Sequence, residues 1–460
     1  MKRLPLALTL AVAVGIAAWV IAAAPVAEAG APGEAAAESA RLAQVAEEVA
    51  KEVEALRGWK FKKPIDKRFA SPADVRSYLN GQVTEHCPPE REKAMEAFLR
   101  MVGLLPPDCQ FKAALLDLME EQVGGYYEPK AGALYLVNRG QPLPPLVERV
   151  MLAHELTHAL DDQYVDLGGF MDSMAGKTED MDLAAMSVIE GSATALMMRY
   201  MVRAQLSGQH DVGELQQYAA QEMERSQKLT KAPRYFTVLL GAYVCGMEFL
   251  ARGNLLAVMA GKGGMIGKNF QAAVKDPPQS TEQILHPEKY WDEAARDAPV
   301  VLDDDAVKRL LETKGRWVIH TNTVGEMLCA ILTNPPGVKR NLMSMETASA
   351  WTNDGAAGWG GDRFYLLASG PDAKAAAANL HQPRGVWVTL WDSEGDRDEF
   401  LETYGRHAPS GSRLLVPLGN LGAVALFGFD EVESKALGER FTTSPPTMTR
   451  AGKPWSPWAL

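Results

Sequence analysis

The chain has 460 residues, of which 47% are hydrophobic, 23% charged and 8% aromatic, which is ordinary globular usage and argues against a disordered chain, a collagen-like repeat or a polytopic membrane protein. The net charge is −11, from 47 basic and 58 acidic side chains with no basic block, so the electrostatic footprint of a nucleic-acid binder is missing. At roughly 150 residues per domain, the length predicts two or three domains.

Lys2 and Arg3 precede an uncharged run from Leu4 to Ala27, and Ala27-Glu28-Ala29 is a small-x-small cleavage pattern. Residues 1–29 therefore read as a secretory signal peptide. The run, at about 20 residues, also satisfies a single N-terminal membrane anchor. In either case the chain is expected to be exported, to a periplasmic, extracellular or envelope-associated location. Export permits disulfides. Cys87 and Cys109 lie in polar, proline-flanked strings and form the favoured pair, whereas Cys245 and Cys329 sit in apolar stretches as buried thiols.

Residues 30–60 are expected to form a flexible lead-in followed by a helix, with Leu42, Val45, Val49, Val53 and Leu56 at helical spacing. Ser71-Pro72-Ala73-Asp74 opens a second helix, as N-cap, proline at the first turn and an early acid. Helices follow over 91–105 and 111–123. GGYYEP, KAG and ALYLV read as a β-hairpin. A helix is predicted over 146–164 with Pro145 at its start, a loop over 168–180, and a long Met- and Ala-rich helix over 182–206. A polar helix over 214–229, an apolar one over 236–256, a Gly-rich connection over 261–267 and a punctuated surface segment from Pro277 complete this region.

A second region is predicted from about residue 301, with strands at 364–367, 386–390, 414–418 and 423–427 and a helix at 396–404. Trp359 and Asp362, in GWGGDR, are expected in a turn. Residues 441–460 read as an irregular tail. The fold class is α+β: a mainly helical catalytic domain with a small sheet over 61–300, then a smaller α+β domain over 301–440.

The string carrying chemistry is His154-Glu155-Leu-Thr-His158, an H-E-x-x-H predicted on a helix. Histidines at i and i+4 rise about 6 Å apart on one face, so both can reach one metal ion. Glu155 points off that line and can address the water such an ion activates. The helix is largely apolar, so both histidines are expected inside, where polar groups need partners. The third ligand is expected to be Glu190, a lone carboxylate in AAMSVIEGSATALMM. The small residues Gly191, Ser192, Ala193 and Ala195 are expected to let its helix approach the H-E-x-x-H helix. The donor for a developing oxyanion is either Tyr243 or His286, with Tyr290 behind them. Tyr126 and Tyr127 either line the substrate groove or are plain strand residues.

His154, Glu155, His158 and a Glu from the next long helix resemble the gluzincin, thermolysin-like branch of zinc metallopeptidases. LRGW, GGYYEPK, HELTHALDDQ, PPQSTEQILHPEKY and GWGGDR are similar to strings in a family of exported bacterial H-E-x-x-H proteins of unassigned substrate. The resemblance implies a zincin-like catalytic domain, one Zn2+ and a peptide or protein substrate received by an edge strand of the sheet. Thermolysin-like enzymes carry an Asp four residues after the ligand Glu, where this chain has Thr194. Asp161 or Asp162 is then the expected acceptor from a ligand histidine. The leading expectation is an exported zinc metallopeptidase with Glu155 as general base. The alternative is an idle zinc-binding envelope protein that acts as a binding or assembly factor. Latency is a further possibility, with residues 30–60 covering the cleft until removed.

Overall fold

The computed structural model describes residues 32–86, 89–122, 125–137, 143–174, 177–208, 213, 217–218, 233–256, 264–334 and 351–458. The signal or anchor segment, Cys87 and most of the expected polar helix at 214–229 lie outside these. Among the described residues no helix is long and apolar enough to cross a membrane.

The N-terminal half is helical around a small sheet. In chain order it comprises α1 (Pro32–Arg57), β1 (Asp66–Ala70), α2 (Pro72–His86), α3 (Pro89–Val102), α4 (Phe111–Gln122), β2 (Gly125–Glu128), β3 (Ala133–Val137), α5 (Pro145–Val165), α6 (Leu167–Met174), α7 (Glu179–Ser207), α8 (Pro233–Leu250), α9 (Gly264–Lys275), α10 (Thr281–Leu285) and α11 (Glu288–Trp291). Helix α1 starts at Pro32, so most of the expected flexible lead-in is helical. Its Ala46, Val49 and Val53 are fully buried. Charge reinforces its docking on α5, where Arg41 pairs with Glu148 and Arg149 pairs with Glu48 and Glu52. The loop expected over 168–180 holds α6 instead. Leu167, Phe170 and Met174 supply a buried face at helical spacing, and Asp166 accepts the Gly169 N–H at its start.

The hairpin forms as expected, and β1 adds to it in parallel, giving the order β1-β3-β2. Strand β2 is therefore an edge. Tyr126 lies in a stack between Tyr78 and Tyr135, so it packs the sheet against α2.

The C-terminal half comprises β4 (Val300–Leu302), α12 (Asp304–Leu311), β5 (Arg316–Asn322), α13 (Gly325–Thr333), β6 (Trp359–Ser369), α14 (Ala373–Asn379), β7 (His381–Trp391), α15 (Glu394–Gly405), β8 (Arg413–Leu418), β9 (Gly422–Phe427), α16 (Glu431–Thr443), β10 (Met448–Arg450) and β11 (Lys453–Trp455). Five strands form an antiparallel sheet in the order β5-β6-β7-β9-β8. Period-two alternation gives it two apolar faces. Phe364, Leu366, Trp387 and Phe427 join the main helical core, where Phe98 meets Phe364 edge-on. Tyr365, Leu367, Val386, Val388 and Val424 face a second core with Val307 of α12 and Phe441 of α16. The fold is thus α+β.

Two expectations fail here. Trp359 and Asp362 are not in a turn; they lie in β6. Buried Asp362 accepts the N–H groups of Val324 and Gly325 and the indole N–H of Trp359, so it holds the start of α13. The tail is not irregular, because β10 and β11 form a hairpin that pairs with β4. Its turn residues Ala451 and Gly452 both have positive φ, the geometry of a tight two-residue hairpin.

Candidate metal centre

Helix α5 presents the H-E-x-x-H residues to the interior. Pro145 sits in its first turn, and the Asp166 N–H closes its end onto the Asp162 carbonyl. Its apolar neighbours Leu152, Ala153, Leu156, Ala159 and Leu160 are buried. Glu190 comes from α7, which Thr178 caps through its side chain at the N-terminus and Gly208 ends with a left-handed φ.

These two helices bring three side-chain atoms together. His154 Nε2 is 3.1 Å from His158 Nε2 and 3.2 Å from Glu190 Oε2, and His158 Nε2 is 3.6 Å from the same oxygen. Ligand atoms about 2.0–2.1 Å from a tetrahedral ion stand about 3.3 Å apart. The observed spacing fits a single divalent cation bound by two nitrogens and one oxygen. The polar atoms point the same way. Two imidazole Nε2 atoms facing each other cannot both donate, and a carboxylate here lies among apolar neighbours.

Burial opposes a charged His158, but the Glu190 carboxylate and its hydrogen bond outweigh it and hold the imidazole up at about 9. Burial would raise Glu190, yet the two histidines bring its carboxyl well below the usual range. Burial pushes the Glu155 carboxyl up, with Glu190 adding to this and the histidines opposing it. Glu155 Oε2 accepts the backbone N–H of Tyr127 at 3.0 Å, so that N–H faces Glu155 off the free edge of β2. The Tyr127 hydroxyl donates to Asp162 Oδ2 at 2.6 Å.

A third helix completes the site. The ring of Tyr243 on α8 stacks on His154 with centroids 6.0 Å apart, and its hydroxyl faces the Glu190 and Glu155 carboxylates. Burial first, and the nearby carboxylates second, push this phenol well above 10, so it remains a donor. The approach of α8 to α7 depends on two glycines. A Cβ on Gly191 would lie 2.1 Å from the Gly246 carbonyl carbon, and a Cβ on Gly246 would lie 1.8 Å from the Ser187 oxygen. Gly191 directly follows Glu190, and Gly246 is three residues from Tyr243. Backbone contact therefore sets how closely Tyr243 approaches Glu190. This corrects the expected partner of Gly191: it packs on α8, while Ser192 faces α5.

His286 lies elsewhere in its bonding. Its Nε2 is 2.9 Å from Glu326 Oε1, and its Nδ1 is 3.9 Å from Glu288. Thr352 donates to the same Glu326 oxygen. Tyr290 donates to the Asp276 carbonyl and packs on Phe249 and Trp291. Both residues are occupied in holding the 276–291 segment.

Among the described residues neither Asp161 nor Asp162 hydrogen-bonds His154 or His158. Asp162 receives Tyr127 and the Leu167 N–H. Asp161 receives Arg57 at 2.5 Å and Ser192 at 2.6 Å. Arg57 was not singled out from sequence. Its sequence signals are its place in the LRGW string and a basic residue ending an apolar-faced helix beside Trp59. His154 Nδ1 and Thr194 Oγ1 are buried and have no hydrogen-bond partner among the described residues.

A second acidic grouping, Glu282, Asp297 and Asp392, already contains its cation. Lys289 Nζ lies 2.5, 3.6 and 3.2 Å from the three carboxylates, and Arg450 reaches Asp297 and Asp392. Cys245 and Cys329 are buried thiols whose pKa burial pushes well above 9.

A family model described as a domain of unknown function (DUF8575) matches residues 312–413. That stretch runs from just before β5 to the start of β8 and contains none of the three candidate ligands. No curated protein and no solved structure matches the chain.

Proposed function

We propose that the chain is an exported zinc-dependent metallopeptidase, with His154, His158 and Glu190 holding the ion. The observation that carries this reading is the convergence of those three ligand atoms beside the Glu155 carboxylate. The donor set of two imidazoles and one carboxylate suits zinc, which when bound supplies a Lewis acid that polarises a carbonyl and brings a water to a pKa near 7.

The remaining chemistry belongs to the chain. Glu155 is sequence-adjacent to a ligand and is held at the β2 edge by the Tyr127 N–H. Its raised pKa suits a group that takes a proton from the attacking water and returns it to the leaving amine. The Tyr243 hydroxyl, kept protonated, donates toward the oxyanion that develops on the scissile carbonyl. An extended peptide would pair along the outer edge of β2, where the Tyr127 N–H bonds Glu155. The leader read over residues 1–29 supports export.

The test is hydrolysis of an unfolded protein substrate by the wild type and by Glu155→Gln. The variant should lose about 10²–10⁴ of the rate while keeping its metal. Equal hydrolysis by both proteins would overturn the proposed role of Glu155.

A further inference from the structure

Behind the ligand set lies a closed triangle of buried polar groups. Arg57 is 2% exposed and Asp161 is 1% exposed. Arg57 Nη2 donates to Asp161 Oδ1 at 2.5 Å and to Ser192 Oγ at 2.7 Å. Ser192 Oγ donates to Asp161 Oδ2 at 2.6 Å. Each corner comes from a different helix. Arg57 ends α1, Asp161 lies on α5 one turn beyond His158, and Ser192 lies on α7 two residues beyond Glu190.

The guanidinium is held in place from its faces as well as its edge. It lies 4.6 Å from the Trp59 ring and 5.5 Å from the Phe270 ring. Arg199 of α7 also bonds the Leu56 carbonyl, one residue earlier in α1. Both Arg57 bonds leave the one nitrogen Nη2, and Nε is buried with no hydrogen-bond partner among the described residues, so the two rings set the plane of the group.

We propose that Arg57, Asp161 and Ser192 are positioning residues for the metal centre, which makes the N-terminal helix a working part of the site. The triangle locks α5 against α7 one turn behind the ligands. The separation of the His158 and Glu190 side chains depends on that relation. Arg57, the last residue of α1, enters the core between the two ligand helices. The inference rests on the metal reading above.

The test uses the full mature chain, from residue 30. In Arg57→Met/Asp161→Leu both charges go together, which avoids leaving one buried ion unpaired. Because the deleted pair is neutral, a change in metal affinity reports position. Three quantities are read: the melting midpoint without metal, the zinc dissociation constant by chelator competition, and the visible spectrum of the cobalt(II) form. The expected result is a melting midpoint near wild type, zinc binding weakened about 10–100-fold, and a shifted cobalt band. Ser192→Ala keeps the ion pair and removes one link, and should weaken zinc binding about tenfold. If the double variant does not fold, Ser192→Ala decides alone. Unchanged zinc affinity and cobalt spectrum in the folded variants would overturn the positioning role. Failure of the wild type to bind zinc would instead overturn the metal reading, and this inference with it.

Discussion

The crossing of α7 and α8 offers a perturbation whose size can be worked out. Replacing Gly246 by alanine puts a Cβ 1.8 Å from the Ser187 carbonyl oxygen, where real Cβ contacts are almost never under 3.0 Å. The two helices must therefore part by about 1.2 Å or more. The obstacle is backbone, so no side-chain rotation relieves it. Overpacking of this kind costs about 1–3 kcal/mol of stability. The larger effect falls on the site. Tyr243 lies one turn before Gly246 on α8, and its approach to His154 and Glu190 spans the same crossing. A displacement of about 1 Å in a group aimed at the reacting centre costs about 10²-fold in rate. Gly246→Ala should therefore lose about 1–3 kcal/mol in denaturant unfolding and about 10²-fold in kcat on a peptide substrate. Gly81→Ala is the control, since a Cβ there meets nothing within 4 Å. It should hold or raise stability by up to about 1 kcal/mol. Wild-type stability and turnover in Gly246→Ala would refute the argument that backbone contact positions Tyr243.

Three further outcomes follow from the same geometry. Tyr243→Phe should lower kcat about 10²-fold with zinc content and KM unchanged, because the hydroxyl is needed where charge develops; a loss confined to KM would assign it to substrate binding. Burial raises the Asp180 carboxyl to about 8 against the hydrogen bonds from Thr281, so the folded chain holds a proton that the unfolded chain, near pKa 3.9, releases. This contribution to stability is complete at acid pH and is lost as pH rises through about 8; Asp180→Asn should flatten the fall of the melting midpoint between about pH 5 and 8, and an unaltered slope would contradict it. Thr194→Val should keep or raise stability, since the buried hydroxyl has no partner among the described residues; a loss above about 1 kcal/mol in denaturant unfolding would show that the hydroxyl is engaged.

How much was legible beforehand follows from how local each signal is. The H-E-x-x-H residues share one helical turn, and the apolar flanks that bury them are contiguous. Glu190 stood out as a lone carboxylate in an apolar helix. Four of the five strands of the C-terminal sheet were visible because alternating runs such as Val386–Leu390 pack on both faces, whereas β5, half-buried along most of its length, was not read. What stayed hidden was pairing at long range. Arg57 looks like a surface residue ending a helix, and only its meeting with Asp161, 104 positions later, shows otherwise. The role of Gly191 needed its opposite number, Gly246, 55 positions on. The two candidates for the oxyanion donor were equal in sequence. They separate in space because Glu326 holds His286, while Tyr243 stacks on His154. The terminal hairpin was masked by proline-rich surroundings, although Ala451-Gly452 supplies its turn.

The central claim is that one zinc ion at His154, His158 and Glu190 supports peptide hydrolysis. The most direct measurement is metal content per chain in the purified protein, paired with cleavage of a peptide library before and after chelation and after zinc is restored. The account expects one zinc per chain, cleavage that stops on chelation, and recovery when zinc returns. Protein without stoichiometric zinc, or cleavage indifferent to its removal, would contradict it.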